Sequence, residues 1–133
     1  VSLAYESPVR GIATSGWRGR SQSLGIADAV TVLAGSAAIA DAAATLIAND
    51  VNIDYPGILK CPASEVKDES DLGMLPVTVD VPPLPVDQIS EALKRGAQTA
   101  GNFIRIGKIE AAYLSLQKQT LVVENNLKKE SNE

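Results

Sequence analysis

The chain has 133 residues, enough for one domain with a modest core, and its 12 basic and 16 acidic side chains leave a net charge of −4. Hydrophobic residues make up 45% of it but aromatics only 4%, so Ala, Val, Ile and Leu must fill the core, and nothing suggests a nucleic-acid surface. With no His and a single Cys, histidine acid–base chemistry and an internal disulfide framework are excluded, and a metal site must rely on oxygen donors or the lone thiol; oxygen donors favour Mg, Mn or Ca over Zn.

In chain order, the opening VSLAYESPVR has neither the basic leader nor the apolar centre of a signal peptide. It also lacks an initiator Met, which is read as processing or truncation upstream. No run approaches the roughly 20 apolar residues of a membrane span, so a cytoplasmic protein without membrane contact is expected. Cys61 fits such a reducing compartment. Gly11 to Ser15 (GIATS) reads as a short strand entering a turn at Gly16 and Gly19. Asp28 to Ala34 (DAVTVLA), β-branched and bounded by Gly25 and Gly35, reads as a second strand. Ser36 then caps an Ala-rich helix that fades near Asn49 to Asn52.

From Asp54 to Pro76 the pattern turns irregular, with Pro56-Gly57, Pro62 and the acidic residues Glu65, Asp68, Glu69 and Asp71, and is read as a long loop. Val77 to Val81 alternates like a half-buried strand, stopped by Pro82, Pro83 and Pro85. Asp87 is the expected cap of a second helix, on which Ile89, Ala92, Leu93, Ala97, Ala100 and Ile104 share one side. Ile109 to Leu116 and Thr120 to Glu124 read as a β-hairpin. The order β-β-α-β-α-β-β, with neighbouring strands joined by turns, predicts the α+β class: an antiparallel sheet with two main helices packed on one face. One domain is expected over 1–124, with a polar tail over 125–133. The bare edges of such a sheet predict a homo-oligomer or association with a missing N-terminal half.

Within Ser36 to Asn49 the helix pattern is apolar on every side except at Asp41 and Thr45, which lie one turn apart on one face. A helix apolar all round expects burial, and a buried carboxylate is costly unless paired or metal-bound. The alternative is a Thr bonded to the preceding turn's carbonyl beside a solvated Asp. Thr14, Ser15 and Gly16 form either an anion cradle reinforced by Arg18 and Arg20 or a turn chosen for its geometry. Trp17 is a core plug or a lid over a ring-shaped ligand. Asp28 is a turn residue or a further metal ligand. Cys61 has no His partner for nucleophilic chemistry, and the acidic residues between Glu65 and Asp71 lack EF-hand spacing.

The segments GIATSG and ADAAAT resemble the ApbE superfamily, whose characterised members are FAD:protein FMN transferases. Residues 11–49 together, with SDLGMLPVTVDV and the ALKRGAQTAG helix, resemble its ApbE-like branch more closely. The likeness runs over residues 10–123, and the chain looks like the C-terminal half of the family domain. It implies a tunnelling-fold-like architecture. In the flavin transferases an A-D-x-x-x-T segment gives an Asp and a Thr to a Mg ion that orients the FAD pyrophosphate, and Asp41 and Thr45 match those positions. The resemblance likewise sets Thr14, Ser15 and Gly16 against the flavin nucleotide. It implies a small-molecule flavin or nucleotide ligand, with Mg and FAD or FMN as cofactors and FMN or nucleotidyl transfer as the activity. The chain departs from the pattern in having Gln22 and no His where transferases carry a His-containing segment. A non-catalytic ligand-binding or assembly domain is therefore the second expectation.

Overall fold

The computed structural model describes residues 9–19, 22–66 and 72–124. The first two strands, β1 (Gly11–Ser15) and β2 (Ala29–Ala34), pair antiparallel, with Thr14 opposite Thr31. They are joined by a long connection rather than the short turn expected from their adjacency. The connection is pinned where the Trp17 N–H donates to the Ala27 carbonyl at 3.1 Å. After β2 comes α1 (Ala37–Asp50), and the Ser36 hydroxyl caps it by accepting from the Ile39 N–H at 3.2 Å, as expected.

The stretch read as one irregular loop contains β3 (Leu59–Pro62) and the single-turn helix α2 (Ala63–Val66), and after it comes β4 (Pro76–Asp80), the strand expected over Val77 to Val81. Among the described residues β3 and β4 pair only with each other. Thr78 of β4 ties this small sheet to the rest: its N–H donates to the Ser23 carbonyl at 2.9 Å and its hydroxyl to the Gly25 carbonyl at 2.6 Å. Asp68, Glu69, Asp71, Arg20 and the expected tail over 125–133 lie outside the described residues.

The second long helix, α3 (Val86–Arg105), starts from Pro85, whose side chain makes no capping bond; Asp87 lies inside the first turn instead of at the cap. There its carboxylate still favours the positive end of the helix dipole. β5 (Ile109–Leu116) and β6 (Gln119–Glu124) form the expected hairpin. Its two turn residues, Gln117 and Lys118, have φ of 44° and 72°, the left-handed pair that suits the twist of a two-residue hairpin loop. Gln117 is held there by its Nε2 donating to the Pro82 carbonyl and its Oε1 accepting from the Leu84 N–H, both at 2.8 Å.

The main sheet is antiparallel throughout, in the order β1-β2-β5-β6, with a bulge between Leu33 and Ala34. α1 lies over β1 and β2, α3 over β5 and β6, and the two helices touch each other. Between helices and sheet sits a core of small and branched residues: Val30 and Val32 of β2, Ala40, Ala44 and Ile47 of α1, Ile89, Ala92 and Leu93 of α3, and Leu114 and Leu116 of β5. Without large aromatics, close approach supplies the contact. A Cβ on Gly96 of α3 would lie 2.3 Å from Val51 Cγ2 and 2.9 Å from Leu114 Cδ2. Each Val, Leu or Ile so buried contributes about 1.5–3 kcal/mol. The α+β class and one-sided packing are as the sequence predicts.

Candidate functional site

α1 is not enclosed. As the outer layer over the sheet it buries one face (Ala40, Ala43, Ala44, Ile47 and Ala48), while Ile39 is 40% and Leu46 50% exposed. Asp41 is exposed, which corrects the expectation of a buried carboxylate. Alanines made the pattern look apolar all round, but a methyl group left in water is cheap. The Thr45 hydroxyl donates to the Asp41 backbone carbonyl at 3.0 Å, the back-bonded geometry of a Thr within a helix. That bond uses the hydroxyl proton and leaves an oxygen lone pair on the same flank as the Asp41 carboxylate.

The flank has a definite direction. Asp50 accepts from the Thr99 hydroxyl of α3 at 2.6 Å, which marks the side of α1 facing that helix. At about 100° per residue, Asp41 lies roughly 180° and Thr45 roughly 140° around the axis from Asp50. Both therefore face away from α3, towards the outer side of the domain, where β1 is the edge strand.

β1 and α1 run in the same direction. A Cβ on Gly11 would meet the Ser36 carbonyl carbon at 2.2 Å, at the start of α1, and one on Gly25 would meet the Ala48 carbonyl oxygen at 2.0 Å, near its end. Ser15 is about 13 Å along β1 from Gly11, and Thr45 about 12 Å along α1 from Ala37. Thr45 and the end of β1 thus come level.

Alternation along β1 divides the TSG residues. Ala13 packs into the core under α1, so Ser15, two residues on, shares the helix side. Thr14 points to the other face, where its hydroxyl lies 2.9 Å from that of Thr31. At Gly16 a Cβ would come 2.4 Å from the Asp28 carbonyl oxygen, so close backbone approach requires the glycine. The Gly19 N–H closes the turn on the Gly16 carbonyl at 3.2 Å.

Trp17 follows, and its Nε1 is buried without a partner among the described residues. Leaving such a donor unpaired costs about 1–3 kcal/mol. The Arg18 guanidinium lies over the Trp17 ring, 4.8 Å from its centroid, and fixes it by cation–π attraction. Asp28, weighed from sequence as a turn residue or a metal ligand, has a structural partner: its carboxylate accepts from the Gln117 N–H at 2.7 Å. Sequence reasoning missed Asn49, whose side-chain oxygen accepts from the Leu24 N–H at 3.0 Å and the Ser23 hydroxyl at 3.2 Å, tying the connection after Trp17 to the end of α1. Nothing in its spacing marks that role.

The donor set suits a hard cation. Asp41 and Thr45 supply a carboxylate and a hydroxyl one turn apart, as Mg accepts when water and phosphate oxygens complete its shell. Among the described residues, no three His, Cys, Asp or Glu side chains group to hold a metal unaided. Among them too, no helix is long and apolar enough to cross a membrane.

Fold and candidate site together define a two-layer α+β domain with its conspicuous polar residues along one sheet edge and the helix above it. The chain belongs to the AbpE bacteria family, whose model matches residues 1–124. No curated protein and no solved structure matches it.

Proposed function

We propose that this domain binds a flavin or nucleotide ligand through a divalent cation on the outer flank of α1. Asp41 and Thr45 are its protein ligands to the metal. The turn from Ser15 through Gly16 to Trp17, with Arg18, faces the phosphates or the ring, and Arg20, outside the described residues, is a further candidate cation by sequence alone. A bound Mg ion would supply neutralisation of pyrophosphate charge, which makes FMN or nucleotidyl transfer the class of reaction open to the site. The ApbE-like family match and the resemblance to the ApbE superfamily support this reading. The observation that carries it is the indole N–H of Trp17, the residue after the TSG turn, buried and without a partner among the described residues, which a ligand oxygen would satisfy.

Each residue has a distinct task. Asp41 brings the negative charge that holds the cation, and Thr45, back-bonded to the Asp41 carbonyl, presents its oxygen in a fixed rotamer. Gly16 lets the turn close against Asp28. Thr14 contributes through the Thr31 pair on the opposite face, which steadies the strand rather than reaching the ligand.

A second reading has its own support. The absence of His and the engagement of Thr14 away from α1 favour a non-catalytic domain kept for ligand sequestration or assembly. Either reading includes association through β1 and β6, the edge strands among the described residues, with a second copy or with further family-domain sequence. Light scattering at micromolar concentration tests self-association, and a clean monomer excludes it.

Thermal stability measured with Mg, FAD, FMN and ADP, singly and together, tests the ligand assignment. A rise that requires Mg plus a nucleotide supports the first reading. No rise with any combination leaves the non-catalytic reading.

A further inference from the structure

At the far end of α1 from its Ser36 cap lies a cavity of about 380 Å³, lined by Asn52, Ile53, Tyr55, Ile58, Lys60 and Arg95, with Asp54 also on its wall. Its volume falls within the usual range for small-molecule sites. A second hollow of about 360 Å³ lies against the same Asn52 and Arg95 and carries Gln98 and Thr99. Tyr55, Ile58 and Lys60 fall in the stretch read from sequence as irregular loop, and the proposed metal flank makes no use of this region.

The two cations are joined through one residue. The Lys60 ammonium donates to the Leu24 carbonyl and to the Asn52 side-chain oxygen, the latter at 3.4 Å. The Arg95 Nη1 donates to the Asn52 backbone carbonyl at 3.3 Å, and its Nε to Glu91 at 3.3 Å. Both partners of Lys60 are neutral oxygens, which leaves one of its three N–H bonds unassigned among the described residues. The second guanidinium amino group of Arg95 is likewise unassigned. A half-buried ammonium hydrogen-bonded only to neutral oxygens is poorly compensated, and burial pulls the Lys60 pKa below its ordinary range. Tyr55, Ile53 and Ile58 provide a wall for a carbon skeleton.

We infer that this cavity is an oxyanion subsite, in which Lys60 and Arg95 take the phosphate or carboxylate group of a small molecule whose body packs on Tyr55. A single phosphate or carboxylate matches the two remaining donor groups in number and sign. Asp54 on the wall disfavours a polyanion. The site does not depend on the Asp41–Thr45 reading.

The test titrates the whole chain with inorganic phosphate and, separately, with succinate, against chloride at matched ionic strength. Thermal stability and calorimetry provide the readouts. At least one oxyanion should give a saturable rise in Tm, and which of them does so distinguishes phosphate from carboxylate chemistry. Lys60→Met keeps the aliphatic stem, and Arg95→Gln sits on an exposed helix face. Each should weaken the apparent Kd about tenfold or more. Absence of a rise above chloride overturns the assignment. So does a rise retained in either Lys60→Met or Arg95→Gln.

Discussion

The Thr45 hydroxyl donates to the backbone carbonyl of Asp41, one turn earlier on α1, at 3.0 Å, while the Asp41 carboxylate stands in solvent. This separates stability from function at the pair. Asp41→Ala removes an exposed charge from a helix and replaces it with a better helix former, so its unfolding free energy should stay within about 0.5 kcal/mol of the parent. Chemical denaturation checks this. A loss of several kcal/mol would mean that Asp41 has a structural partner.

Two glycines of α3 should respond in opposite directions. Gly96 faces Val51 and Leu114, and an added methyl has no room. Overpacking of that kind costs about 1–3 kcal/mol. A Cβ on Gly101 meets nothing within 4 Å, so Gly101→Ala should gain up to about 1 kcal/mol from helix propensity alone. Thermal melts of the two single variants should move to opposite sides of the parent.

The bond between the Asp28 carboxylate and the Gln117 N–H, 2.7 Å long and partly buried, holds a turn whose two residues both have positive φ. Asp28→Ala leaves that N–H without its charged acceptor, at a cost of about 1.5–3 kcal/mol. Urea denaturation measures it. A cost below about 0.5 kcal/mol would show that the turn holds its shape without Asp28.

Lys60 gives a pH signature. Burial lowers its folded pKa from the ordinary 10.5. Between the lowered value and 10.5 the unfolded chain binds a proton that the native chain does not, so stability rises with pH across that window. Below the window both states are protonated and the native state carries the full burial cost. Relative to Lys60→Met, the wild type should therefore gain stability as pH rises through the window towards 10.5. Paired melts from neutral to alkaline pH show this as a changing Tm difference. A constant difference contradicts it.

Much of the architecture was legible because local signals and tertiary structure agree. Ser36 caps α1 as a Ser before an apolar run should, and β5 and β6 alternate strongly enough to show as a hairpin. The core side of α3 follows its periodicity, with Ile89, Ala92, Leu93 and Ala100 buried. β3 and α2 were not legible: four residues each, one ending in and the other following Pro62, are too short for any period. The exposure of Asp41 was hidden by alanine, which satisfies an apolar pattern without demanding burial. Thr14 and Ser15 appear as one motif in sequence, yet strand alternation sends them to opposite faces of the sheet. The cavity between Lys60 and Arg95 rests on Asn52 meeting two residues from different elements, a contact that no spacing along the chain records.

Trp17 is the sole tryptophan and directly follows the TSG turn, and its indole N–H has no partner among the described residues, so its fluorescence reports on the proposed ligand directly. The most direct test is a titration of the chain with ADP, with excitation at the red edge of tryptophan absorption, in Mg and then in EDTA, repeated on Asp41→Ala. A saturable change in Trp17 emission that requires Mg and is lost in Asp41→Ala is the expected result. An emission unchanged by the nucleotide, or a change that persists in EDTA or in Asp41→Ala, contradicts a metal-mediated nucleotide site on this flank.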